Sequence, residues 1–204
     1  KAVELATANG WFLASQFETR ANAAIHETTT AQEILADFAD TRLDAFVTGY
    51  GTGGTFVGVA RVLRRERPQT RIVLAEPANA RLIASGYEQT RAGNGAPAAS
   101  PPASEPHPIQ GWTPDFIPYV LQEGIDRNFY DELLSVTGAE GIACTKELAS
   151  KEGVFTGISG GSTFAAALRI AEASEKGSVI LCMLPDTGER YMTTPLFDGI
   201  GAEM

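Results

Sequence analysis

The sequence predicts an α/β fold, in which an open, three-layer and mostly parallel twisted sheet is flanked by helices. Short apolar runs rich in β-branched residues alternate with segments of helical periodicity, and glycine-rich turns join them. The 204 residues are 44% hydrophobic and 20% charged, as in an ordinary globular chain of one domain or slightly more. Repeated strand–helix–strand units require parallel strands with helical crossovers.

The predicted elements follow one another along the chain. Strands are expected at residues 11–14, 43–48, 71–75, 133–136 and 178–184. Helices are expected at residues 30–39, 53–65, 77–85, 137–151 and 162–173. Two capping boxes mark helix starts, Thr30 with Glu33 and Thr137 with Glu140. The remaining long segments are expected to be a Pro-, Ala- and Gly-rich surface loop at 86–106 and an irregular stretch at 107–120.

Charge and composition exclude several classes of function. The net charge of −9 argues against nucleic acid or an anionic membrane as partner, because both attract basic surfaces. No apolar run approaches the roughly 20 residues of a membrane span. His26 and His107 are isolated from other ligand types, so neither a metal site nor a catalytic histidine is predicted. Cys144 and Cys182 are expected to pack in the core of a protein from a reducing compartment.

A glycine-rich loop, Gly49–Thr55 (GYGTGGT), follows a predicted strand and opens a predicted helix. Glycines allow a sharp turn that exposes several N–H groups at once, and the helix N-terminus adds partial positive charge. Thr52 and Thr55 add hydroxyl donors. Ligands of parallel sheets bind beyond the carboxyl ends of the strands, where the loops 157–161 and 185–190 are also expected. The pattern therefore predicts a phosphate cradle.

The same glycines also fit a dinucleotide-binding unit. Gly49, Gly51 and Gly54 match the spacing G-x-G-x-x-G, and Gly58 extends it. Glu76 ends the next predicted strand, where an acid that binds the ribose would stand. From the loop alone, an NAD-dependent oxidoreductase domain stays open.

Five stretches, in the same order along the chain, resemble the cysteine synthase (O-acetylserine sulfhydrylase) family of fold type II pyridoxal-phosphate enzymes. They are 15–34 (SQFETRANAAIHETTTAQEI), 49–55 (GYGTGGT), 107–118 (HPIQGWTPDFIP), 152–162 (EGVFTGISGGS) and 184–197 (LPDTGERYMTTPLF). Five ordered matches are more specific than one glycine motif, and the resemblance that they mark extends over nearly the whole chain.

The resemblance implies a β-replacement that makes L-cysteine from O-acetyl-L-serine and sulfide, with pyridoxal 5′-phosphate (PLP) as cofactor. It assigns the substrate carboxylate to Gln16. It assigns the PLP phosphate to the residues Gly51, Thr52, Gly53, Gly54 and Thr55. It further implies a cytoplasmic homodimer whose active site can accept the C-terminal tail of serine acetyltransferase. Residues 1–19 are interpreted as the tail of an N-terminal domain, and residues 20–204 as the C-terminal phosphate-binding domain.

The segment PDTGERY departs from the family pattern. The family usually places a serine directly after the proline, where its neutral hydroxyl meets the pyridine nitrogen of PLP. Here Asp186 occupies that place and Thr187 follows it. Related cystathionine β-synthases carry the hydroxyl one position later, so Thr187 is predicted as the partner of the pyridine nitrogen, with Asp186 as the alternative.

A PLP enzyme also needs a lysine that forms a Schiff base with the cofactor. In the family this lysine lies near the N-terminus in the context S-x-K-x-R. That context is absent around all of the lysines of this chain, which are Lys1, Lys146, Lys151 and Lys176. The chain is therefore expected to be a fragment that lacks about the N-terminal third of such an enzyme and is inactive alone. A non-catalytic regulatory relative is a further alternative.

Overall fold

A computed structural model describes residues 1–93 and 95–199 and has a parallel sheet at its centre. The strands are β1 (Ala45–Gly49), β2 (Arg71–Pro77), β3 (Glu132–Val136) and β4 (Ile180–Cys182). Their order is β3-β2-β1-β4, and every pairing is parallel. The predicted α/β fold is confirmed. Because β1 and β2 are continuous apolar runs, they occupy the two central positions, where both faces of a strand are covered.

Helices cover both faces of the sheet. They are α1 (Ala2–Asn9), α2 (Arg20–Thr28), α3 (Thr30–Asp37), α4 (Gly54–Glu66), α5 (Tyr119–Asp126), α6 (Gly138–Glu147) and α7 (Ile158–Glu172). A π-helix at Leu148–Glu152 extends α6, and short 3-10 helices occur at Gly188–Tyr191 and Pro195–Phe197. No helix in the described ranges is long and apolar enough to cross a membrane.

Alternating side chains of the central strands divide the core into two clusters. Phe46, Ile72 and Leu74 face the side of α2 to α5, where they pack with Phe56 and other buried residues of α4. Val47, Val73 and Ala75 face the opposite side and pack with Ile158, Ala166 and Ile170 of α7. Cys144 and Cys182 lie partly buried against this second cluster, and burial raises the pKa of both thiols. The three layers are thus helices, sheet and helices.

Several predicted elements differ from the structure. Residues 11–14 form no strand, and the side chains of Trp11 and Phe12 are exposed. The helix expected at 77–85 is absent: Pro77 ends β2, and residues 78–85 form turns and an isolated bridge, with the N–H groups of Ile83 and Ala84 donating to the carboxylate of Glu76. The segment 107–120 is irregular up to residue 118, as expected, and helix α5, which begins at Tyr119, was not predicted.

The helix boundaries also bear on the predicted caps. The capping box of Thr137 and Glu140 is present at the start of α6 and confirms that prediction. The box of Thr30 and Glu33 is wrong, because Thr29 is the N-cap of α3 and makes no side-chain cap hydrogen bond. Helix α7 begins at Ile158, four residues earlier than predicted, so the segment GISGG forms its first turn.

Candidate functional site

A cavity of about 320 Å³ lies beyond the carboxyl ends of β1 and β4. Three predicted loops meet there. The glycine-rich loop and the end of β1 contribute Thr48, Gly49, Gly51, Thr52 and Thr55. The remaining lining comes from Gln110, Gly111, Trp112, Ser159, Thr163, Met183, Pro185, Asp186 and Tyr191. The rule that ligands bind at this edge of a parallel sheet therefore locates the cavity correctly.

The glycine-rich loop is folded tightly against its surroundings. A Cβ atom on Gly51 would lie 2.2 Å from the carbonyl oxygen of Gly111, and one on Gly53 would lie 2.7 Å from the main chain of Leu121. Gly53 also has a φ of +87°, which L-residues with side chains rarely adopt. The backbone N–H groups of residues 51–53 donate to no acceptor among the described residues. The loop thus presents unpaired donors at the N-terminus of α4, an arrangement that suits an anion.

The two threonine hydroxyls of the loop are held from α2. Asn22 Nδ2 donates to Thr52 Oγ1 over 2.9 Å, and the N–H of Gly54 donates to the same oxygen over 3.1 Å. His26 Nε2 lies 3.1 Å from Thr55 Oγ1. Both hydroxyls are therefore oriented by neighbours.

Polar side chains also line the cavity near the N-terminus of α7. Asp186 Oδ2 accepts a hydrogen bond from the Tyr191 hydroxyl, while Asp186 Oδ1 is buried without a hydrogen-bond partner in the described residues. Burial, followed by the contact with Asp186, raises the pKa of Tyr191 to about 12. Ser159 is buried in the first turn of α7, and its hydroxyl interacts with the Tyr191 phenol. A neutral hydroxyl and an unpaired carboxylate oxygen therefore stand close together.

Thr187 lies outside the cavity. It is exposed, and its side chain hydrogen-bonds to Glu189. An isolated antiparallel bridge joins it to Thr156, whose hydroxyl and following N–H group bind the carbonyl of Asp186. Because successive side chains of extended backbone point in opposite directions, Asp186 can face the cavity only if Thr187 faces away.

Glu76 does not reach the cavity. Its carboxylate is completely buried and accepts from the Tyr50 hydroxyl at 2.7 Å and from the N–H groups of Ile83 and Ala84 at 3.0 and 3.1 Å. Burial raises the pKa of Glu76 and, together with the neighbouring carboxylate, that of Tyr50. Glu76 therefore holds the phosphate loop at Tyr50 and the turn after β2, and it is not placed to bind a ribose.

Comparison with known proteins identifies the family. The family model for pyridoxal-phosphate dependent enzymes matches residues 1–186. The chain belongs to this PLP-dependent family. It is 48% identical over 199 residues to an O-ureido-L-serine synthase of Streptomyces lavendulae, covering 98% of this chain and 55% of the relative. It is 38% identical over 197 residues to a cysteine synthase of Staphylococcus aureus, covering 97% and 57%.

A solved structure of an O-ureido-L-serine synthase gives a TM-score of 0.87 at 47% identity, and the match covers 100% of this chain and 58% of that one. The chain thus spans little more than half the length of the relatives that it matches. Family membership and the buried state of Glu76 together overturn the alternative of an NAD-binding oxidoreductase domain. PLP is the cofactor of this family.

The cavity fits PLP in three respects. Its volume is sufficient for a ligand of that size. The unpaired N–H groups of residues 51–53 and the hydroxyls of Thr52 and Thr55 are donors of the kind that a phosphate requires. Across the same cavity, Ser159 and the buried, unpaired Asp186 Oδ1 offer partners for the pyridine nitrogen.

Other predicted residues lie elsewhere. The side chain of Gln16 is exposed and does not line the cavity, although its carbonyl accepts from Asn22 Nδ2 over 2.7 Å. Among the described residues, no lysine lines the cavity. His107 bonds to Thr113 in the segment beside the loop, and no cluster of three or more metal-ligating side chains occurs within 1–93 and 95–199.

Two residues of the site have no predicted role from the sequence. Ser159 lies in the GISGGS segment, which resembles the family. Its position in the first turn of a helix that points at the cavity is the feature that could have indicated a role in the site. Asn22 belongs to the recognised segment 15–34, but no local pattern indicates that it reaches Thr52, which is thirty positions away.

Proposed function

We propose that this chain forms the PLP-binding part of an enzyme that carries out β-replacement on an O-acylated serine. One observation carries the proposal: a glycine and threonine cradle faces polar partners for a pyridine nitrogen across a single cavity of suitable size. Family membership and the similarity to two synthases that make substituted alanines or serines support the same reaction class.

In this proposal each end of the cofactor has its own residues. Gly51, Thr52, Gly53, Gly54 and Thr55 remain our candidates for holding the phosphate. Of these, Gly51, Thr52 and Thr55 line the cavity, and the N–H of Gly54 donates to Thr52 Oγ1. We place the Ser159 hydroxyl at the pyridine nitrogen, with Asp186 as the alternative. Thr187 stays a prediction that the geometry does not favour. PLP, when bound, supplies an electron sink for the substrate carbanion.

The choice of partner affects the proton at the pyridine nitrogen. A neutral hydroxyl such as that of Ser159 donates a hydrogen bond and leaves the nitrogen unprotonated, whereas a carboxylate such as Asp186 favours its protonation. An unprotonated ring is a weaker electron sink, which favours loss of a β-substituent over transamination. Tyr191 contacts both candidates, because its hydroxyl donates to Asp186 Oδ2 and interacts with the Ser159 hydroxyl.

For the substrates, we retain O-acetyl-L-serine as the acyl donor and sulfide as the nucleophile that gives L-cysteine. Gln16 remains our candidate for binding the substrate carboxylate. The higher identity to the Streptomyces enzyme favours a second candidate, formation of O-ureido-L-serine by attack of a hydroxyurea oxygen at Cβ. A homodimer, a cytoplasmic location, the acetyltransferase tail as a partner and a domain boundary at residue 20 rest on the family resemblance and stay predictions.

The PLP-loaded protein that contains this chain is expected to release more than one equivalent of acetate per active site from O-acetyl-L-serine only when a nucleophile is supplied. Mass spectrometry of parallel reactions with sulfide and with hydroxyurea would identify the amino-acid product. A predominance of cysteine supports the first candidate, and a predominance of O-ureido-L-serine supports the second. Failure to release acetate with either nucleophile, from PLP-loaded protein, would contradict the proposed reaction class.

The 204-residue chain alone is expected to bind the phosphate end of PLP without forming a covalent bond to it, because the cavity lining contains no lysine within residues 1–93 and 95–199. After PLP is added, the yellow absorbance of a lysine-bound cofactor should be absent. Borohydride followed by peptide mass spectrometry should find no single modified lysine. Stoichiometric trapping at one of Lys1, Lys146, Lys151 or Lys176 would refute this prediction.

A further inference from the structure

Helix α2 approaches the start of α4 more closely than most helix pairs can. A Cβ atom on Gly58 would lie 2.3 Å from the carbonyl oxygen of Ala23 and 2.7 Å from Cβ of His26. One on Gly54 would lie 1.8 Å from Asn22 Oδ1. Gly54 and Gly58 are one helical turn apart, as are Asn22 and His26. A face of α4 formed by glycines therefore packs against a polar face of α2. This contact brings two α2 side chains to the two threonines of the phosphate loop.

The hydrogen bonds of Asn22 fix the direction of the Thr52 proton. The carbonyl oxygen of Gln16 can only accept, so the atom of Asn22 that lies 2.7 Å from it is the amide nitrogen. The same nitrogen donates to Thr52 Oγ1, which also accepts from the N–H of Gly54. A hydroxyl has two acceptor sites and one proton. Since both acceptor sites are filled, the Thr52 proton is left for a ligand in the cavity that Thr52 lines.

His26 acts on Thr55 in a comparable way. Its Nδ1 lies 3.0 Å from the hydroxyl oxygen of Thr30, and its Nε2 lies 3.1 Å from Thr55 Oγ1. Partial burial lowers the pKa of His26 and favours a neutral ring, which has one donor and one acceptor nitrogen. If Thr30 donates to Nδ1, Nε2 carries the proton and donates to Thr55. The Thr55 proton is then free to point at the same ligand.

We propose that Asn22 and His26 are positioning residues that aim the hydroxyl protons of Thr52 and Thr55 into the phosphate site. This inference rests on the proposed function, in which the cavity binds the phosphate of PLP. It adds a second layer to the site: α2 does not touch the ligand, yet it sets the affinity of the loop for a phosphate dianion.

Trp112 provides the readout for a test, because it lines the cavity, whereas Trp11 is exposed and can be replaced by phenylalanine. The probes are 4′-deoxypyridoxine 5′-phosphate, which has no aldehyde, and pyridoxine, which has no phosphate. We expect Asn22→Ala and His26→Leu each to weaken binding of the phosphorylated probe about tenfold, and to leave binding of pyridoxine unchanged. His26→Gln keeps a side-chain amide donor and should retain most of the affinity.

Two controls separate positioning from folding. Ile25→Ala alters an exposed side chain of the same helix and should leave both affinities unchanged. In a Thr52→Val background, Asn22→Ala should have little further effect on the affinity for the phosphorylated probe, because the hydroxyl that Asn22 orients is then missing. Equal losses for both probes, or full additivity with Thr52→Val, would overturn the proposal.

Nitrogen NMR of the imidazole gives a measurement without any change to the site. With the phosphorylated probe bound, Nε2 of His26 should carry a proton. A complex in which only Nδ1 is protonated would refute the role of His26. If the unmodified chain fails to bind the phosphorylated probe, the proposed function itself fails. If it binds and the α2 variants bind equally well, only the positioning role fails.

Discussion

Replacement of Glu76 by alanine is expected to lower the free energy of unfolding by about 3–5 kcal/mol, because a buried hydroxyl and two main-chain N–H groups lose their acceptor at once. The Tyr50 hydroxyl and the N–H groups of Ile83 and Ala84 all bind this carboxylate, which is completely buried. Each buried and unsatisfied polar group costs about 1–3 kcal/mol, and the missing side chain also leaves a void. Urea unfolding followed by circular dichroism would measure the loss.

Two variants control for this effect. Glu76→Gln keeps the shape and one acceptor oxygen, so its loss should be about 1–3 kcal/mol, smaller than that of the alanine variant. Glu105→Ala makes the same truncation at an exposed site and should change stability by about 0.5 kcal/mol or less. If Glu76→Ala is as stable as Glu105→Ala, the carboxylate is not the anchor of this region.

The same carboxylate predicts a pH dependence. Burial raises the pKa of Glu76 in the folded chain, so the folded state binds the proton more tightly than the unfolded state. Stability therefore falls as the pH rises from the ordinary glutamate pKa through the raised one, and it is highest when Glu76 is protonated. Glu76→Gln cannot titrate. The difference in stability between wild type and this variant should accordingly shift in favour of the variant across that interval.

The sequence predicts the central sheet well, because the signal for a buried strand is local. Residues 43–48 and 71–75 differ from β1 and β2 by at most two residues at either end, and continuous apolar runs between turns indicate such strands directly. Residues 11–14 are also a run of apolar residues, but they have no neighbouring strand in the described ranges. A strand needs a partner, and the presence of a partner is not a local property.

The dinucleotide interpretation was wrong for a similar reason. Gly54 and Gly58 satisfy the spacing of a fingerprint, yet their requirement for glycine comes from the close approach of α2. Glu76 stands where a ribose-binding acid is expected, yet it points into the core towards Tyr50. In both cases the spacing matches the motif, but the contact that explains the residue type lies far away in sequence.

The local sequence does not determine which side chain meets the pyridine nitrogen of PLP. Asp186 and Thr187 are adjacent, and only the bridge between Thr156 and Thr187 decides which of them faces the cavity. Ser159 could have been proposed by supposing that the GISGG segment is the first turn of a helix. The predicted helix start at residue 162 excluded that idea, because small residues and glycines are weak helix formers in isolation.

Gly58→Ala is expected to destabilise the chain by about 2 kcal/mol, although alanine is the better helix former. The gain in helix propensity is about 1 kcal/mol, whereas overpacking against atoms that cannot move typically costs about 1–3 kcal/mol or more. Here the new methyl group would meet the main-chain oxygen of Ala23 at 2.3 Å, and no side-chain rotation relieves a clash with backbone. Helix α2 must therefore shift away from α4.

That shift should also weaken phosphate binding, because Asn22 and His26 move with α2 while Thr52 and Thr55 stay on the loop. Gly93→Ala is the matched control: a Cβ there meets nothing within 4 Å, and both stability and affinity should be unchanged. Urea unfolding and titration with 4′-deoxypyridoxine 5′-phosphate measure the two effects on the same preparations. If Gly58→Ala is as stable as Gly93→Ala, the two helices are not in the close contact on which the positioning of the threonine hydroxyls depends. If it is less stable but binds the phosphorylated probe normally, the contact is structural and the loop orients its hydroxyls without α2.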